Sequence, residues 1–202
     1  MPEARVTNGN SPSQRGPVIV TGLPRSGTSM VMQMLNAGGM PLLTDEHRPA
    51  DDHNPRGYYE YEPVKRIESD TSWLPQAYGK AVKVVIPLVR VIAAMELHAT
   101  VLLVMRDLDS VLASQKRMIE ADGGVVSQEE QDQLRVAFQT EQAQAKALLN
   151  ANRHQKLVVL RYEDMLANPL REANRIAQAL PACVDAAAMA AVVDRSLNRS
   201  GN

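Results

Sequence analysis

An α/β domain, with a parallel sheet between two layers of helices, is the fold this chain predicts, and three observations predict it. Short apolar runs recur at 18–20, 100–105 and 157–160, with a fourth at 81–86 interrupted by Lys83. None alternates cleanly with polar residues, which is the pattern of strands buried on both faces. The runs are separated by segments of helical spacing, and the first passes through a glycine loop directly into such a helix. Parallel neighbours need crossovers of that kind. Four or five strands in a three-layer arrangement are expected.

Each element has its own signal. Residues 1–16 are rich in Pro, Asn, Ser and Gly and are expected to be a disordered lead-in, leaving 17–202 as a single domain. The helix expected over 28–37 meets its stop at Gly38-Gly39. Residues 41–80 show no clear period and contain most of the tyrosines. A long irregular segment of this kind in a compact α/β domain reads as a substrate loop or lid. A helix over 109–121 places Val111, Leu112, Gln115, Met118 and Ile119 on one side. The next, 127–152, opens with Ser127 and Glu130 in capping-box spacing. Helices over 171–180 and 185–193 close the chain.

Bulk properties describe an ordinary globular chain. The 202 residues are 45% hydrophobic and 22% charged, with a net charge of −1. That balance gives no case for bulk attraction to nucleic acid or membrane, so any anion site must be local. No run approaches the ~20 apolar residues of a membrane span, and the N-terminus lacks a signal-peptide core. The single cysteine, Cys183, excludes an internal disulfide framework and reads as an inert buried thiol. A cytoplasmic location is the expectation.

The most informative segment is Val18-Ile-Val-Thr-Gly-Leu-Pro-Arg-Ser-Gly-Thr-Ser29. Gly22 and Gly27 keep Walker A spacing, yet Thr28 stands where that motif requires lysine. The loop still suits an anion, because successive N–H groups and the positive end of the following helix converge on it. Arg25 supplies charge in place of the missing lysine, and Thr28 and Ser29 add hydroxyl donors.

Here the chain resembles the sulfotransferases that use 3′-phosphoadenosine 5′-phosphosulfate (PAPS). Their 5′-phosphosulfate loop is matched by Pro24, Arg25, Ser26, Gly27, Thr28 and Ser29. The resemblance implies a P-loop-like fold of sulfotransferase type and PAPS as co-substrate, with no metal. It also implies that Arg106 and Ser114 grip the nucleotide's 3′-phosphate. Taken as residues alone, Arg106 and Asp107 equally suit an exposed pair at a helix start. Lys83 resembles the family's strand lysine near the bridging oxygen; otherwise it reaches solvent at a strand end. Two residues on, cytosolic animal-type members carry a catalytic histidine, whereas this chain has Val85.

A base must therefore come from elsewhere, and the candidates are Asp45, Glu46, His47, Asp51, Asp52, His53, Glu60 and Glu62. Glu60, after an Asn-Pro-Arg-Gly-Tyr-Tyr turn, is preferred, with Asp45 next. Glu62 precedes Pro63 and reads as a helix start. Near the end, Arg195 to Gly201 is similar to the family's Arg-Lys-Gly loop, with Ser200 in place of the lysine, and implies a nucleotide contact for Arg199. Tyr162 to Leu166 resembles a structural strand-to-helix passage. The chain is shorter than typical members, which suggests a reduced acceptor region or help from a second subunit, as in a homodimer.

The resulting expectation is an enzyme moving a sulfuryl group from PAPS to a hydroxyl or amine. The acceptor would be a small molecule, a carbohydrate or a peptide. A small-molecule kinase of the P-loop class and a non-catalytic bisphosphate-binding protein are the alternatives.

Overall fold

The computed structural model describes residues 16–45, 54 and 57–194. Residues 1–15 of the lead-in, the histidines at 47 and 53, the acids at 46, 51 and 52, and Arg199 lie outside the described residues. Four strands form one parallel sheet: β1 (Val18–Gly22), β2 (Ala81–Lys83), β3 (Ala99–Met105) and β4 (Gln155–Arg161), in the order β2-β1-β3-β4. The helices are α1 (Thr28–Ala37), α2 (Leu74–Ala77), α3 (Val89–Ala93), α4 (Leu108–Ala121), α5 (Gln128–Ala151), α6 (Tyr162–Ala167), α7 (Pro169–Ala179) and α8 (Ala186–Ala191). Single 3-10 turns run over Glu62–Arg66 and Ile86–Leu88.

Alternate residues of each strand enter two separate cores, as a pleated strand requires. Ile19, Val82, Val101 and Leu103 pack with Trp73, Val111, Phe138 and Leu149 on the side of α2 to α5. Val18, Val20, Leu102, Val104 and Leu160 pack with Val31, Leu35, Met165 and Ile176 on the side of α1 and α6 to α8. Burial on both faces explains why these runs read as continuously apolar.

The connection after β1 leads to β2 on one side, and the connection after β3 leads to β4 on the other. Their divergence puts a topological switch point between the carboxyl ends of β1 and β3, where open α/β sheets bind ligands.

Several boundaries differ from expectation. Strand β2 stops at Lys83 instead of continuing to 86, and the chain passes into a 3-10 turn over Ile86–Leu88 with Pro87 in its first turn. The supposedly irregular stretch after α1 runs alongside β2, with Leu43 N donating to Ala81 O at 2.8 Å and Ala81 N to Pro41 O at 2.8 Å. Helix α7 begins at Pro169, a residue suited to the first helical turn. Helix α8 is shorter than expected and starts behind Asp185, which caps Ala187 N and Ala188 N. Helix α5 begins with the expected capping box. Cys183 is exposed, not buried, since it lies in the turn between α7 and α8 instead of on a packed face. Among the described residues, no helix is long and apolar enough to cross a membrane.

Candidate active site

The loop after β1 is shaped by two left-handed residues, Arg25 (φ 65°) and Gly27 (φ 101°). Ser26 N donates to Leu23 O at 3.2 Å and closes the turn. Only glycine fits at 27: a Cβ there would stand 2.5 Å from a ring carbon of Tyr162. A left-handed arginine is a costlier choice, tolerated when its surroundings fix it. They do so here. Arg25 Nε donates to Ser114 Oγ at 3.0 Å, and Arg25 O accepts from Arg106 Nη1 at 2.9 Å. Helix α1 follows with no side-chain cap, so the N–H groups of its first turn have no partner within the helix.

Arg106 leaves the end of β3 and lies over the Tyr162 ring, 4.2 Å from its centroid. Burial pulls the pKa of this guanidinium down, opposed by Tyr162 and Glu163, and aided by the nearby charges of Arg25 and Arg117. An arginine stays charged through such a shift. Burial likewise pushes the Tyr162 hydroxyl up. Tyr162 thus forms the floor for both the loop and Arg106, a role the sequence reading assigned to no residue. The available signal was its position as the first residue after β4, at the same sheet edge as Arg106.

On the other side of the loop, Lys83 Nζ donates to Ser29 Oγ at 3.0 Å and to Tyr58 O at 2.7 Å. Asn54 Nδ2 donates to the same Ser29 Oγ at 2.9 Å and to Gly57 O at 2.7 Å. With two donors arriving on its oxygen, Ser29 is left to donate its own proton. Lys83 therefore turns into the site and not to solvent.

Glu60 lines the same cleft, and its backbone carbonyl accepts from Asp45 N at 2.9 Å. The Asp45 carboxylate accepts from Glu62 N at 2.6 Å and so holds the start of a 3-10 turn. Glu62 pairs with Lys65 at 2.7 Å. Val85 is 45% exposed and lines the cleft. Asp107, a candidate magnesium ligand under the kinase alternative, accepts from Ser110 N at 2.8 Å as the N-cap of α4. That bond holds its carboxyl below the usual range.

These groups enclose one cleft of about 630 Å³. Arg25, Gly27, Thr28, Ser29, Glu60, Lys83, Arg106 and Ser114 all line it, as do Tyr58, Gln115, Arg117 and Glu141, which the sequence reading did not single out. Ser26 is not in the wall. Its hydroxyl is buried beneath the loop and has no partner.

Residues 85–182 match the model of a sulfotransferase family. The match spans just under half of the chain. The sulfotransferase resemblance read from the phosphate loop is thereby borne out on a different segment, since the match includes Arg106 and Ser114 and begins after Lys83. Among solved structures, the sulfotransferase domain from the curacin biosynthetic pathway aligns over 93% of this chain and 78% of that chain, at 15% identity and a TM-score of 0.49. No curated protein sequence matches the chain.

Proposed function

We propose that this sulfotransferase-family protein uses PAPS as its donor and transfers the sulfuryl group to a hydroxyl or amine. One observation carries the reading. The glycine loop with Arg25, the strand lysine Lys83, and the Arg106–Ser114 pair reach a single cleft at the sheet's switch point. A volume of about 630 Å³ suits a nucleotide. The loop's N–H groups and the start of α1, which has no side-chain cap, suit a phosphate above them.

The chemistry is an in-line displacement. The acceptor's oxygen or nitrogen bonds to sulfur as the bond from sulfur to the bridging oxygen breaks, and adenosine 3′,5′-bisphosphate leaves. Arg25, Lys83 and the loop N–H groups neutralise charge growing on the bridging and 5′-phosphate oxygens. Arg106 and Ser114 hold the 3′-phosphate, giving orientation. Glu60 takes the acceptor's proton.

The decisive experiment is calorimetry with adenosine 3′,5′-bisphosphate, AMP, and ATP with magnesium. The bisphosphate should bind most tightly, since each charge-assisted bond to its 3′-phosphate contributes about 1.5–3 kcal/mol. Equal affinity for AMP and the bisphosphate would sink the reading. A transfer assay with labelled PAPS and a panel of alcohols, phenols, amines and sugars then separates an enzyme from a nucleotide-binding protein.

A further inference from the structure

The cleft continues past the nucleotide groups to an end walled by Val85, Pro87, Met118, Ala121 and Phe138. Glu141, Gln115 and Arg117 bring polar groups to the same lining. Glu141 lies on α5 one turn after Phe138, on the helix face turned to the cleft. Among the described residues its carboxylate has neither an ion pair nor a hydrogen bond. Gln115, on α4, contributes an Oε1 that is buried with no partner.

We propose, resting on the sulfuryl-transfer reading above, that this end is the acceptor subsite and takes an amino alcohol with an apolar body, its protonated amine seated against Glu141. A carboxylate in apolar surroundings is costly unless a cation or donors compensate it. Burial pushes the Glu141 carboxyl up, and no neighbouring charge contributes to that shift. Arg117 lines the same cleft, but its charge acts on Arg106 and not on Glu141. Glu141 is half-buried, so water compensates its charge in the empty cleft and a ligand cation takes that place when the cleft fills. An ammonium supplies both a positive charge and several N–H donors to the Glu141 carboxylate. A hydroxyl brings one donor and no charge. A protonated amine has no lone pair with which to attack sulfur, so the reacting group is a hydroxyl elsewhere on the same molecule. The apolar wall between the two ends accommodates the carbon skeleton.

The test uses matched probes, 8-aminooctan-1-ol and octane-1,8-diol, titrated calorimetrically into the full chain with saturating adenosine 3′,5′-bisphosphate. The amino alcohol should bind about tenfold more tightly than the diol, the scale of one charge-assisted contact. Glu141→Gln should bring the two probes within about twofold of each other, while leaving the bisphosphate's thermal shift unchanged. Equal affinities for the natural chain, a tenfold preference that survives in Glu141→Gln, or no binding of the amino alcohol at millimolar concentration would each overturn the proposal. If the bisphosphate itself fails to bind, the sulfuryl-transfer reading falls. The same two probes titrated without nucleotide still decide whether Glu141 reads an amine.

Discussion

The two ends of the cleft are built in opposite ways. At the nucleotide end Arg25, Arg106 and Lys83 are each held by a bond from another element: Ser114 of α4, the loop carbonyl, and Ser29 of α1. At the far end the wall is largely apolar, and Glu141 lines it with no hydrogen bond or ion pair among the described residues. Charged groups that are tied in place need no reorganisation when charge develops near them, which is the condition for electrostatic stabilisation. Unpartnered groups in an apolar wall discriminate instead, because a ligand lacking the complementary group leaves them unsatisfied. Chemistry is assigned to one end and selection to the other. Each substitution below is chosen to break that division or to sharpen it.

The largest effect is expected where the two ends meet. Glu60→Gln preserves size and removes basicity, so turnover should fall about 10²–10⁴-fold, while bisphosphate affinity stays within error. Near-normal turnover with the same acceptor would take the base away from Glu60. Among the described candidates Asp45 and Glu62 already serve a 3-10 turn and an ion pair, so the search would pass to residues 46–53.

Arg25→Ala tests the nucleotide end directly. Its loss should lower kcat by about 10²–10³-fold even at saturating PAPS, because the oxygens it faces gain charge in the transition state. It should also disturb Ser114, whose hydroxyl accepts from Arg25 Nε. Full recovery at saturating PAPS would show that Arg25 binds and does not stabilise the transition state.

Arg106→Ala should act differently, weakening the bisphosphate about 10–100-fold and AMP far less, with rate largely recovered at saturation. Competition calorimetry of the two nucleotides checks it. A uniform loss for both would mean that Arg106 serves chiefly to hold the Arg25 carbonyl and the loop's shape.

What the sequence made legible follows the same divide. Gly27, Arg25 and Ser29 could be read because a tight turn between strand and helix is fixed by local backbone geometry. Arg106 and Ser114 could be read because the end of a strand and two turns of the next helix place them predictably. Tyr162 was taken as purely structural, since nothing local tells that the end of β4 arrives beneath a loop formed far earlier in the chain. Glu141 was illegible for a stronger reason. On α5 it is one acid among many polar residues, and only the packing of α5 against α4 turns its face into a cleft wall. Glu60 fell between these cases. The Pro-Arg-Gly turn suggested delivery to a pocket, but the bend that accomplishes it uses a left-handed Tyr59, φ 55°, which no sequence rule anticipates for a tyrosine.

The smallest effect concerns α4, which serves both ends, with Ser114 two turns into the helix and Met118 one turn further along. Its N-cap is Asp107, accepting from Ser110 N. Asp107→Ala should cost about 0.5–1 kcal/mol, the lower part of the range for a lost cap, because the residue is exposed and solvent takes up part of the loss. The folded carboxyl titrates below the unfolded one. Its contribution is therefore fully present above the unfolded value of about 3.9 and disappears as pH falls through the lower folded value. Urea unfolding of both chains should show a gap at pH 7 that closes toward pH 3. A gap unchanged over that range would mean that the carboxylate's charge plays no part. Because Ser114 and Gln115 are neighbours two turns into α4, beyond the first turn where fraying begins, bisphosphate and amino-alcohol affinities should both hold. A loss of affinity for either ligand would show that the cap's effect reaches two turns into α4 and that the helix couples its N-terminus to the cleft.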